Sequence, residues 1–163
     1  MALDAFLKIT GQKQGAIKGS VTQKGREGKI MVIAANHELV SPRDPASGMA
    51  TGKRRHHPFI ITKELDKSSP LLYQAMVTNE MITDWELQFW TAAATKAAGT
   101  EKQHYTVRLK NANISAIRFI MPNNKIPELV KLNEYEELEF IYETIEWTWT
   151  DGGITATDTW QAV

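Results

Sequence analysis

The sequence predicts a mainly antiparallel β domain with one helix and one oversized loop. Three features carry this: apolar residues recur at period two in several runs, one helix start is marked by proline, and a long polar stretch separates two strand signals. The runs differ in what they bury, so each is taken in order.

"ALDAFLKI" sets Leu3, Ala5, Leu7 and Ile9 on one face and Asp4, Phe6 and Lys8 on the other. "KIMVIAANHEL" is a β-branched run after the Gly25 and Gly28 punctuation, with Ile30, Val32 and Ala34 on one parity and Met31, Ile33 and Ala35 on the other. "VSPRDPASGMATGKRR" carries Pro42, Pro45, Gly48 and Gly52, and loops of this length in compact domains are functional or disordered. "HPFIITKEL" returns to alternation, with Phe59, Ile61 and Leu65 against Ile60 and Thr62. In "DKSSPLLYQAM", Ser69 is the expected N-cap and Pro70 the first helical residue, where a missing N–H costs nothing. Leu71, Leu72, Ala75 and Met76 then form an apolar helix face.

"WTAAATKAAGTE" is rich in helix formers, but it sits between strand signals and holds Gly99, so it reads as a hairpin connection. "HYTVRLKNANISAIRFIM" reads as one long strand. In "EYEELEFIYETIEWTWT" the apolar parity of Leu138, Phe140 and Tyr142 switches to that of Ile145, Trp147 and Trp149. The switch predicts either a bulge or a strand passing from one packing partner to another.

The 163 residues fit a single domain spanning 1–163. A chain of that size buries roughly 68–70% of its unfolded surface, enough for a core without staples. There is no cysteine, which excludes disulfides, thiolate metal sites and cysteine nucleophiles. Lys+Arg and Asp+Glu number 19 each, and a net charge of zero argues against general polyanion binding while easing self-association. No apolar run suits a signal peptide or approaches the roughly 20 residues that span a bilayer. The expectation is a soluble chain made in the cytoplasm, with no nucleic-acid partner and no membrane insertion.

The search for chemistry returns little. "HELVS" has serine where the H-E-x-x-H zinc motif needs its second histidine, and on a strand His37 and Glu38 face opposite sides. His56 and His57 are adjacent, so on a strand one packs and the other is exposed. No G-x-S-x-G elbow and no phosphate loop occur. Glu134, Glu136, Glu137, Glu139, Glu143 and Glu146 form an acidic cluster that protects a strand edge or tunes a subunit contact. Trp147 and Trp149 share a face that suits a core, an interface or a stacking platform. No catalytic residue, cofactor or metal ligand is assigned. A β-barrel enzyme or ligand binder using His37, His56, His57 or His104 around a metal remains the alternative from a different class.

The order of elements carries a resemblance. "MALDAFLKI", the long loop ending in "HHPFIITKELDKSSPLLYQAM", then "YTVRLKNANISAIRF" and the aromatic strand with Tyr142 and Trp147 resemble the haemolysin-coregulated protein (Hcp) family of bacterial type VI secretion across essentially the whole chain. The large loop departs from the family, being basic and proline-containing where many members are glycine-rich.

The resemblance implies an antiparallel two-sheet β-barrel with one flanking α-helix and a long extended loop. It implies a non-enzymatic building block: rings of six subunits around a pore stack into a tube, which a sheath drives into a neighbouring cell. Its partners would be copies of itself, secreted effectors held in the lumen, and the spike and sheath proteins. The chain would then be cytoplasmic before firing and secreted afterwards without a signal peptide, and no fused toxin domain is expected. A phage or phage-like tail-tube protein is the sibling reading. Under the Hcp resemblance "KRRHHP" closes the loop and launches a strand. Lys53, Arg54, Arg55, Arg43 and Asp44 become candidates for ring or tube contacts, and Asn36 and Glu38 for lumen or effector contacts.

Overall fold

The computed structural model describes residues 4–91 and 101–160. The first half of the chain forms β1 (Ala5–Gly11), β2 (Gly15–Ile17), β3 (Ile30–Val32), β4 (Ala34–Asn36), β5 (Leu39–Val40), β6 (Arg55–His56), β7 (Phe59–Glu64) and α1 (Ser69–Val77). Then follow β8 (Ile82–Thr91), β9 (Lys102–Lys110), β10 (Asn113–Ile120), β11 (Tyr135–Ile141), β12 (Thr144–Trp149) and β13 (Ile154–Thr159). The expected hairpin connection at "WTAAATKAAGTE" lies almost wholly outside the described residues.

All pairings are antiparallel. A seven-stranded sheet runs β13-β12-β9-β8-β1-β2 with β3 also on β1, and a four-stranded sheet runs β10-β11-β7-β4. The two sheets share one core without closing into a continuous barrel. Inward residues come from both: Leu7, Ile9, Trp85, Leu87, Val107 and Leu109 from the larger, Phe59, Ile61, Leu138 and Phe140 from the smaller. Trp85 stands edge-on to Phe59 and Phe140 with centroids 5.1 and 5.5 Å apart, the arrangement that ring quadrupoles favour.

The chain passes between the sheets once through α1 and three times directly, and each direct step resolves a sequence expectation. After β3 it bends at Ile33 and enters the other sheet as β4. "HYTVRLKNANISAIRFIM" is two strands rather than one. Asn111 has φ +51°, a left-handed conformation that asparagine tolerates, and turns the chain from β9 to β10. The parity switch after Tyr142 is the step from β11 to β12, the second of the two expected alternatives. Asn111 Nδ2 donates to Glu143 Oε2 at 2.6 Å, and Glu143 N donates to Lys110 O at 3.1 Å, tying two of the steps together.

Two expectations about charge and capping are corrected. Ser68, not Ser69, occupies the N-cap of α1; Pro70 is therefore at the second helical position. Asp66 Oδ1 accepts from Ser68 N at 2.9 Å, while Ser69 turns inward, its Oγ accepting from Asp66 N at 3.1 Å and Lys63 Nζ at 3.0 Å. Glu136 is not a solvated edge charge. It shares the inward parity of Leu138 and Phe140 and lies directly opposite Lys63, with both side chains 0% exposed. Lys63 Nζ reaches Glu136 Oε1 at 2.7 Å and Asp66 Oδ1 at 3.1 Å, so all its donors are used.

Phe6, on the polar parity of β1, is fully buried because Arg26 lies over it. The Arg26 guanidinium sits between Phe6 and Trp90, 5.0 and 4.7 Å from their centroids, and pairs with Glu101.

Breaking the buried pair from one side should be costly. Lys63→Met alone is expected to destabilise by about 3–5 kcal/mol, because it strands an ionised Glu136 in the core. Adding Glu136→Leu should recover most of that loss, and denaturant unfolding of the two variants measures the difference.

Candidate functional site

The oversized loop is an ordered hairpin arm. Its base is a two-stranded ribbon with Leu39 opposite His56 and Val40 opposite Arg55. Farther out, Arg43 bridges Ala50, and Thr51 N donates to Pro42 O at 3.1 Å. Asp44 builds the tip. Its carboxylate accepts from Ala46 N at 3.1 Å and Ser47 Oγ at 2.6 Å, which holds its pKa below the usual carboxylate value, the serine contributing most. Gly48 closes the turn at φ +70°, and Met49 stands 70% exposed beside it.

The candidate contact residues therefore separate. Asp44 turns its carboxylate into its own turn rather than outward. Arg54 is held within the chain by Asp158 on β13, with Nη2 donating to Oδ1 at 2.5 Å and Nε to Oδ2. Lys53, Arg55 and Arg43 are exposed, with no ion-pair partner among the described residues.

The root of the arm is fixed by a chain of polar contacts. His37, on one leg, and His56, on the other, each place a ring nitrogen 2.8 Å from the Tyr142 hydroxyl. His56 Nε2 lies 2.8 Å from Asp158 Oδ2. Aromatic faces enclose the group: His56 stacks on Trp160 at 5.6 Å, His37 stacks on Phe59 at 5.2 Å, and Tyr142 stands edge-on to Trp160 at 4.9 Å. Burial, and secondarily the Asp158 charge, raise the Tyr142 pKa far above that of an ordinary phenol. The Arg54 hydrogen bond, aided by His56 and Thr159 N–H, lowers Asp158 to about 2 against burial.

Of the histidines set aside for a metal, His37 and His56 meet on the tyrosine, His57 is the exposed member of the adjacent pair, and His104 lies apart, beside Trp149. Among the described residues no group of three or more metal-ligating side chains converges.

The outer face of the four-stranded sheet is the second surface. Register places Asn36, Ile60, Glu139 and Ala116 in one row across it, and Ala34, Thr62, Glu137 and Arg118 in the next. Arg118 Nη1 donates to Glu139 Oε1 at 2.6 Å. Asn36 is exposed, directly opposite Ile60. Glu38 lies beyond the end of β4, at the arm root, where its carbonyl accepts from His57 N at 3.1 Å.

Fold and surfaces together define a two-sheet β domain with a projecting, charged hairpin arm. The family described as "Type VI secretion system effector, Hcp" matches residues 6–149, and the chain belongs to it. The "Major exported protein" of Pseudomonas aeruginosa is 39% identical over 171 aligned residues, covering 99% of this chain and 98% of the relative. The Hcp1 protein of E. coli EAEC 042 pathovar superposes with a TM-score of 0.84 at 34% identity, over 98% of this chain and 99% of that one. The secreted protein Hcp3 of Pseudomonas aeruginosa gives 0.78 at 32% identity, over 99% and 100%. The chain is thus a component of the structural Hcp family of type VI secretion.

Tyr142, Asp158 and Trp160 escaped sequence reasoning as site residues. No local pattern marks them, since the contacts to His56 span 86 and 102 residues.

Asp158 makes a testable contribution to stability. Its folded pKa is depressed, so its stabilisation is present above the ordinary carboxylate value of 3.8 and is lost as pH falls through about 2. Asp158→Asn should cost about 1–3 kcal/mol at neutral pH by leaving His56 without its acceptor anion. It should also flatten the acid limb of stability, and urea unfolding across that pH range measures both effects.

Proposed function

We propose that the chain is a non-enzymatic tube subunit: six copies form a ring around an open pore, rings stack, and effectors are held in the lumen until the tube is exported. The observation that carries this is the arm. A hairpin fastened at its root and built by its own hydrogen bonds projects Arg43, Lys53 and Arg55 with no ion-pair partner among the described residues. Charges presented rigidly in this way fix register with acidic groups on another copy more than they add affinity. Zero net charge suits opposite patches meeting in such an assembly.

The outer face of the four-stranded sheet, with Asn36 and Ala34 in the same rows as Glu139 and Glu137, supplies the surface for the pore wall. Asn36 is the residue placed to touch cargo. Glu38, just beyond the end of β4, is the second candidate for that contact. Export of the chain agrees with the relatives named as exported and secreted. The remaining partners are the spike and sheath of the apparatus.

Light scattering on the purified protein should return the mass of six chains, whereas a monomer at all concentrations would contradict the proposal. Lys53→Glu with Arg55→Glu should leave stability within about 0.5 kcal/mol, as exposed substitutions do, yet shift the mass toward single chains. Because these charges are exposed, salt at about 1 M should weaken the wild-type assembly in the same direction.

A further inference from the structure

Tyr142 has one hydroxyl proton and faces two imidazole nitrogens, His37 Nε2 and His56 Nδ1. Counting donors and acceptors fixes how the group is satisfied. With Asp158 ionised, His56 Nε2–H donates to the carboxylate, so a neutral His56 presents a bare Nδ1. Tyr142 donates to that nitrogen, and its oxygen accepts from His37 Nε2–H. Every polar atom in the chain of contacts then has a partner.

One added proton is accommodated. Placed on His56 Nδ1, it donates to the Tyr142 oxygen, and the hydroxyl turns to donate to His37, whose own proton moves to Nδ1. The resulting imidazolium lies against Asp158. A second proton is not accommodated. Two N–H groups would then point at one oxygen, the hydroxyl hydrogen would have neither neighbour to bind, and two cations would flank a largely buried phenol.

The surroundings leave that second charge unrelieved. Asp158 is engaged by Arg54, His56 and Thr159 N–H, and Glu143 by Asn111. Glu38 and Arg55, the chain neighbours of His37 and His56, are exposed to solvent. Phe59, Trp147 and Trp160 are apolar walls. Burial, with the nearby His56 and His57, keeps His37 below the ordinary imidazole value. A lowered histidine pKa means that stability is present above the unfolded value of about 6.5 and is lost as pH falls below it.

His37 and His56 stand at the two ends of the arm, and Tyr142 and Asp158 belong to the body. We propose that this set is an acid-operated latch: when neutral or singly protonated it fixes both legs of the arm, and the second proton, taken at His37, releases them. Contacts that the arm makes with other copies are then lost in mild acid, a consequence that rests on the assembly reading above, whereas the release itself does not.

The test titrates the imidazoles of the full-length protein by NMR from about pH 7.5 to about pH 5. In parallel it follows amide exchange of residues 37–58, corrected for intrinsic rates. The expected result is about tenfold faster arm exchange accompanying the His37 titration, with loss of assembled mass. His37→Gln, whose amide still donates to Tyr142 but cannot be protonated, should keep the arm protected throughout. Tyr142→Phe keeps the ring contacts and should exchange quickly already at about pH 7.5. Arm exchange unchanged as His37 titrates, release of the Gln variant at the wild-type pH, or a protected arm in the Phe variant would each overturn the latch. A protein of single-chain mass at the start would count against assembly alone, because arm exchange still decides the latch.

Discussion

Both legs of the arm meet at one atom, the hydroxyl oxygen of Tyr142, and the C-terminal hairpin joins them through Asp158 on His56. Tyr142 stands where the chain leaves β11 for β12, so the residue that ends one sheet also receives both legs of the arm. Next to it Glu143 fastens the neighbouring step from β9 to β10. Strand continuity and side-chain bonds therefore coincide at one edge of the molecule. A polar group this buried is costly unless paired, and its pairing gives a long hairpin a defined direction.

A second buried polar group governs the other end of the four-stranded sheet. Lys63 and Glu136 occupy inward positions that alternation reserves for apolar side chains, and they join the start of α1 to β7 and β11. Replacing such a pair with apolar residues is often no loss in stability, so its value is better sought in positioning. Here it fixes where the helix begins relative to a sheet whose opposite face is free. The outcome is a rigid plate bearing Asn36, Glu137 and Glu139, flanked by a rigid arm bearing Arg43, Lys53 and Arg55. Both are features a subunit of a stacked tube would use.

Much of this was legible in the sequence because period-two alternation survives wherever one face of a strand is buried. The runs at Ala5, Phe59 and Tyr135 became strands, and the parity switch after Tyr142 became a step between sheets. Alternation also required one of His56 and His57 to be exposed, and His57 is. What escaped was set by distance or by single residues. One asparagine at φ +51° divided a continuous alternating run, and nothing in the run signals it. The arm's base strands are two residues long, too short to show a period, so the segment read as a loop. Asp158, Tyr142 and Arg26 act through partners far along the chain, and Glu136 read as solvated because its inward parity was set against its charge.

The account stands on which surfaces face which way in an assembly, and a cryo-electron microscopy reconstruction of the purified wild-type protein tests that directly. The account predicts a ring of six chains whose channel is lined by the outer face of the four-stranded sheet, with each arm lying on a neighbouring copy. A compact particle without a channel, or a ring with that sheet on its outer wall and the arms free, would contradict it.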